Sequence, residues 1–484
     1  MRFQILSHAG IMVEHHGVQV LCDPWLVGST YWRSWWNYPP VERELIKSLK
    51  PDAIYLTHIH WDHFQGPSLK LFPRDTKIIV PRGHFDRMRR DLNTLGFDNV
   101  QELGHGETVE LGKDFRLTSY SFDLLCDSAV VLESSTVTLL NLNDCKIMGR
   151  PMRHMLSRHR RPEFVFASHS SANSRICFDF IDSDETAADD SERYIERFYQ
   201  FVKASGARFA VPCASNQCYL HKETFHFNSA NRTPIMVRDY WQKHGVTDPE
   251  LAVMVSGDSW CEEADFSLTT TDWFTERDRL LREYQDRESF RLTETYRKED
   301  KARVKLTQME RFFAPFFRAV PWVLRRRFRA HPIAYVLYAG EHRQYFEVDV
   351  SKKQVTELEN VSDETHPAQF HLSAFVLRHA MSANIVAHIG ISKRVRYRST
   401  LSEKKYVELF RDLLARYEYE NLPLTNLLSW RSIRNWASRW REVLLYVSLV
   451  KDKLMTGRLP IEKHLVPPPV AQAQPSTSRE HSAA

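Results

Sequence analysis

Leu56-Thr57-His58-Ile59-His60-Trp61-Asp62-His63 leaves the apolar run Ala53-Ile54-Tyr55 and puts three imidazoles and a carboxylate into six consecutive positions. An apolar run that gives way to such a cluster and then to Gly66-Pro67 reads as a strand entering a strand-to-helix turn. Imidazole nitrogen and carboxylate oxygen together suit zinc, iron or manganese. In a turn, ligands two residues apart project one way while the next pair faces a second ion, so two adjacent metal sites are expected. The competing account makes this a surface histidine cluster with Asp62 answering a helix dipole. It explains neither the number nor the spacing of the histidines.

Around that turn the chain reads as a large globular protein. It has 484 residues, 43% of them hydrophobic, enough for two or three domains. Its 66 basic and 61 acidic residues leave a net charge of only +5, too mild for nucleic-acid binding through counterion release. Seven scattered cysteines do not form a disulfide framework, so a reducing compartment is expected. The first residues, MRFQILSHAG, meet charge and histidine too early for a signal peptide, and no long apolar run occurs. The expected location is cytoplasmic.

Residues 1–23 predict a β-hairpin that turns at His15-His16-Gly17. Strand-like runs then alternate with helical ones: VERELIKSLK before AIYLTH, then KIIVP, FRLTSYSF, AVVLES, VTLLNLND, EFVFASHS and RFAVPCAS. An α/β sandwich is expected over 1–265, then a charged helical connector over 266–330 and a smaller α+β domain over 331–463. The tail from 464 to 484 is rich in proline and poor in apolar groups, so disorder is expected there.

The segment T-H-x-H-x-D-H after a buried strand resembles the signature of the metallo-β-lactamase superfamily, which implies an αββα sandwich. The resemblance gives His58 and His60 to one metal, and Asp62 and His63 to the other. It makes Asp144, at the end of VTLLNLND, a bridging carboxylate, and Asp23, in Leu21-Cys22-Asp23-Pro24, a buried carboxylate behind the turn. Within the superfamily, DPWLVGSTYWRSWWNYPP (23–40), THIHWDHFQGPSLKLFP (57–73) and DSAVVLES with NLNDCKI are similar to the metal domain of the CMP-N-acetylneuraminate hydroxylase group. In that group a proline-led strand precedes a histidine. Val211-Pro212-Cys213 leading to His221 has the same layout, so the resemblance makes His221 the last ligand of the second metal.

Two departures matter. The superfamily's third histidine for the first metal is missing from SYSFDLLCDS (119–128), leaving Asp123, Asp127 or the loop residue His169 to complete the shell. An oxygen there tilts the site from zinc toward iron or manganese. His8, beside Gly10, reads first as a core histidine and second as a residue at the metal's edge. The sialic acid hydroxylases also carry a Rieske cluster, which needs paired Cys-x-His ligands. This sequence holds none; Cys213, Cys218 and His221 have the wrong spacing.

Trp25, Trp32 and Trp35 crowd a Pro- and Ser-containing loop and are read as a substrate wall, with an interface as the alternative. ERFFAPFFRAVPWVLRRRFRAHP mixes aromatics and arginines, so 311–329 is a candidate for peripheral membrane contact. SWRSIRNWASRW repeats tryptophan at helical spacing, as a buried or interface stripe does.

The leading functional expectation is a dinuclear hydrolase. Two divalent ions, zinc or iron and manganese, would activate water against an ester, amide or phosphoester of a polar small molecule, with Asp62 and Asp144 handling protons. The alternative is a diiron, O2-dependent hydroxylase that draws electrons from a separate donor.

Overall fold

The computed structural model describes residues 1–125, 127–170, 175–184 and 191–456. The expected disordered tail lies outside these, as does Cys126. The other six cysteines are free thiols, five of them buried.

Two twisted sheets face each other. One has eight strands, with Arg2–Ile5, Ile11–His15, Val18–Cys22 and Ala53–Tyr55 side by side in its middle. The other has seven and includes Phe115–Phe122, Asp127–Glu133, Thr138–Asn143, Phe164–Ser168 and Phe209–Cys213. Period-2 alternation sorts the side chains. Val20 and Cys22 point between the sheets with Val130, Leu132 and Phe166. Leu21 and Ile54 point the other way, under helices carrying Leu69 and Leu92. On the far side Val131, Leu140 and Val165 meet helical Met152, Phe198, Val202 and Trp241. The result is an αββα sandwich, the architecture that the resemblance implied. The predicted hairpin is present, with Ile11 opposite Cys22 and His15 opposite Val18.

The C-terminal region builds a third, six-stranded sheet from Ile333–Ala339, His342–Asp349, Gln354–Leu358, Ala368–Ser373 and Val395–Ser399. Its sixth strand, Phe178–Phe180, comes from the N-terminal region and runs parallel to Val395–Ser399. In return, the helices Trp430–Ser438 and Trp440–Thr456 lie back on the sandwich, where Leu445 joins its outer core.

The stretch read as a solvated connector is partly core. Leu281, Tyr284 and Leu292 pack on Trp36 and Tyr38. Helix Leu306–Ala319 buries Phe312, Phe313, Phe316 and Phe317 against Phe410 and Tyr335. The aromatic stripe assigned to membrane contact over 311–329 is therefore turned inward. Of its large apolar side chains only Trp322 and Val323 are exposed. No helix among the described residues is long and apolar enough to cross a membrane.

Candidate metal centre

The turn after Ala53–Tyr55 lies at one end of the sandwich, where the chain passes from sheet to helix. Its ligand atoms, with two from other strands, gather into two groups in which all donor atoms lie within 4.8 Å of one another. One is His58, His60 and Asp144; the other is His8, Asp62 and His63. Each is two imidazoles and one carboxylate.

The second group draws on the first strand of the chain. His8 sits in the turn Ser7-His8-Ala9-Gly10, closed by Leu6 N donating to Gly10 O at 2.8 Å. A Cβ on Gly10 would fall 2.4 Å from Ser7 Oγ, so a side chain there would force the Ser7 hydroxyl to turn away. His8 N donates to Asn37 Oδ1 at 3.1 Å, and its ring lies 5.5 and 6.0 Å from those of Trp25 and Trp35. Trp25 and Trp35 are fully buried and pack beside the His8 ring. Trp32 lines a cavity, and its indole N–H donates to His379 Nδ1 at 3.1 Å. Asp144 follows a register shift between Asn141 and Asn143, and Asn143 takes a φ of 44°. That irregularity at the strand end turns Asp144 toward the histidines.

Behind the turn, Asp23 fixes the imidazoles. Its Oδ1 accepts from Thr57 N at 2.8 Å, and its Oδ2 accepts from Thr57 Oγ1 at 2.6 Å, from His63 Nδ1 at 2.8 Å and from Asn143 Nδ2. With Thr57 donating to Asp23, its oxygen accepts from His58 Nδ1 at 3.0 Å. Both His58 and His63 are thereby held by Nδ1 with Nε2 turned to the cluster. His58 Nε2 faces His60 Nδ1 at 2.8 Å, and His63 Nε2 stands 3.4 Å from Asp62 Oδ2 and 3.6 Å from Asp144 Oδ2. Tyr31 Oη donates to Asp62 Oδ1 at 2.6 Å from a loop in which Tyr31, Trp32 and Arg33 all have positive φ.

Electrostatics agree with this reading. Burial pushes His58 down to about 4 and His60 to about 3, each helped by a neighbouring imidazole, so both are neutral and offer lone pairs. Burial opposes the ionisation of Asp62, yet His63 and His8 hold it well below the usual carboxylate range. Burial likewise opposes Asp144, and His63 and Lys146 hold it low. The buried nitrogens His63 Nε2 and His8 Nε2 make no hydrogen bond of proper geometry, although Asp62 lies 3.1 Å from His8 Nε2. Burial opposes the charge on His63, yet Asp62 and Asp23 raise it well above the ordinary imidazole value, a positive charge that a bound cation would replace. Neutral His58 and His60, ionised carboxylates and unsatisfied buried donor atoms fit metal ions.

Other expected residues lie elsewhere. His221 is placed apart from both trios: its Nε2 faces Glu299 at 3.3 Å, beside Tyr296. The strand before it, Gln217–Tyr219, pairs with Trp35–Asn37 and carries it away. Asp123 turns toward the C-terminal helix: its N–H donates to Glu442 Oε1 at 2.8 Å and its carbonyl accepts from Arg439. Asp127 is in neither trio but is close to Asp144; burial and then Asp144 push it up to about 7. His169 donates from Nε2 to Arg232 O at 3.2 Å and is in neither trio.

His388, from the C-terminal region, was not foreseen. Its buried ring lies 5.3 Å from that of His60, perpendicular to it, and neither nitrogen has a hydrogen-bond partner. It walls a small cavity with His58, Leu124 and Tyr419. A second cavity of about 640 Å³ adjoins it, lined by Trp32, Trp61, Phe64 and Phe375.

No family model matches the chain. A Rieske 2Fe-2S iron-sulfur protein of Mycobacterium tuberculosis is 25% identical over 296 residues, 56% of this chain and 54% of that protein. Cytidine monophosphate-N-acetylneuraminic acid hydroxylase of Mus musculus is 28% identical over 147 residues, 29% of this chain and 26% of that enzyme. The chain thus spans about half the length, or less, of the curated relatives it matches. Among solved structures, an isothiocyanate hydrolase from Delia radicum gut bacteria aligns over 54% of this chain and 99% of its own, at 16% identity and a TM-score of 0.41. CmlA, a diiron β-hydroxylase from Streptomyces venezuelae, aligns over 53% of each chain at 14% identity and a TM-score of 0.37. The chain therefore has relatives in sequence among hydroxylases and neighbours in structure among both metal-dependent hydrolases and a diiron hydroxylase.

Proposed function

We propose that this metallo-β-lactamase-fold chain is a dinuclear metalloenzyme, and that its reaction is the O2-dependent hydroxylation of a small molecule at two irons. The observation that carries the reading is the make-up of the two groups: each is two histidines and one aspartate. A two-histidine, one-carboxylate set with open positions is the donor pattern of non-haem iron oxygenases, and catalytic zinc sites use the same set. The partial likeness to a sialic acid hydroxylase supports iron. His58, His60 and Asp144 would hold one ion, and His8, Asp62 and His63 the other.

Iron held by these residues would supply the O2 chemistry, with electrons from a separate donor protein or reductase. The chain's own residues do the rest. Asp23 and Thr57 hold His58 and His63 by Nδ1, and Tyr31 fixes one oxygen of Asp62. Trp32, Trp61 and Phe375 give the adjoining cavity an apolar wall that seats a hydrophobic or aromatic substrate group and excludes water. His388 and Tyr419 bring the C-terminal region to the edge of the centre. The proposed setting is the cytoplasm.

The same donors could serve hydrolysis at zinc, and the two readings separate experimentally. Protein expressed without added metal is reduced anaerobically and then exposed to air. The hydroxylase reading predicts iron, an optical band that changes on reduction, and O2 uptake with a chemical reductant. Zinc, a featureless spectrum and no uptake would replace it with the hydrolase.

A further inference from the structure

The helices Trp430–Ser438 and Trp440–Thr456 are packed inside out. Ser432, Asn435, Arg439 and Glu442 are buried, with Ser432 Oγ 3.0 Å from His84 Nδ1 and Arg439 paired to Glu442. The apolar residues face outward: Trp430 is 78% exposed, Ile433 45%, Trp440 49%, Val447 61%, Val450 58% and Leu454 82%. Ile433, Trp440, Val447 and Leu454 recur every seventh residue, and Val443, Val450, Ala437 and Leu444 widen the stripe to almost half the helix surface. An apolar stripe of this extent left exposed to water implies a surface that covers it.

The charge around the stripe says which. Arg434, Lys451 and Lys453 are exposed beside it, and Arg441 lies over the Trp440 ring at 4.3 Å. The only carboxylates from 430 to 455 are Glu442, which is buried, and Asp452, which is not among the exposed residues. A second copy packed through this face would bring these cations together with no exposed carboxylate to answer them, and the stripe is wider than a coiled-coil seam. Exposed tryptophan, aliphatic residues and cations on one helical face match an anionic lipid surface.

We propose that this face docks the protein on anionic membranes, with Trp430, Trp440, Val447 and Leu454 entering the headgroup boundary and Arg434, Arg441, Lys451 and Lys453 meeting lipid phosphates. The docking does not depend on which reaction the metal centre runs.

The test is co-sedimentation of the full chain with vesicles of phosphatidylcholine, alone or mixed with phosphatidylglycerol, alongside sedimentation velocity without lipid. The expected result is a monomer that partitions at least about tenfold more strongly onto the mixed vesicles, and less so in high salt. Leu444→Asp with Val447→Asp should lower partitioning about tenfold or more while leaving circular dichroism and metal content unchanged. Lys451→Glu with Lys453→Glu should remove the preference for the anionic lipid. Absence of partitioning at low salt would overturn the proposal. So would equal partitioning of the aspartate variant, or a dimer that the aspartate variant dissolves, which would assign the face to a second copy.

Discussion

At the metal turn and along the C-terminal helices the usual sorting of side chains is reversed, for opposite reasons. At the turn, four histidines and two aspartates are drawn together in a largely buried cluster with donor atoms facing one another. That arrangement is costly unless ions take up the lone pairs. Along Trp430–Ser438 and Trp440–Thr456, apolar side chains are left in water while polar ones are buried. The first region violates the rule inward and the second outward. In each, the violation points to what binds there: a cation in one, an amphipathic surface in the other.

The comparison can be broken most sharply at Asp23. Asp23→Ala removes the acceptor for Thr57, His63 and Asn143, so it should weaken metal binding about 10- to 100-fold and destabilise the fold by about 3 kcal/mol. Titration with a chelator and denaturant unfolding would check both, and unchanged metal affinity would detach Asp23 from the centre. Next in size is Arg439→Ala. It leaves Glu442 buried without its cation and should cost about 3 kcal/mol, loosening the C-terminal helices as seen by hydrogen exchange.

A pH dependence tests the packing between the two regions. Glu418 is buried and accepts from Ala387 N at 2.8 Å, and burial pushes it from 4.5 up to about 8. Between those values the folded protein keeps a proton that the unfolded chain has released. Stability should therefore fall as pH rises through that window, and Glu418→Gln should flatten the slope in thermal unfolding. The smallest effect belongs to the outward face. Trp430→Ser should change stability by no more than about 0.5 kcal/mol, because the side chain contributes almost nothing to the folded core.

Much of this was legible in the sequence, and what was not has physical reasons. The alternating strands and the cluster from His58 to His63 carry local patterns, and the sandwich follows from them. His8 offers only a glycine two residues on, and its role depends on the strand order that brings the turn after Arg2–Ile5 to the metal cluster, a long-range fact. His221 had the expected spacing after a strand, but cross-strand pairing with Trp35–Asn37 redirects it. His388 arrives on a short helix, His388–Ser392, over three hundred residues along the chain, and no local signal could announce it. The phenylalanines of 311–329 and the tryptophans of 430–440 show the same helical periodicity. Only tertiary packing decides that the former go in while Trp430 and Trp440 go out and Trp436 packs on His84.

The most direct test of the account is elemental analysis of the wild-type chain beside His58→Ala and His8→Ala. Two irons per chain in the wild type, falling to about one in each variant, is the predicted result. Two metals retained in either variant would contradict the division of the donors into two trios.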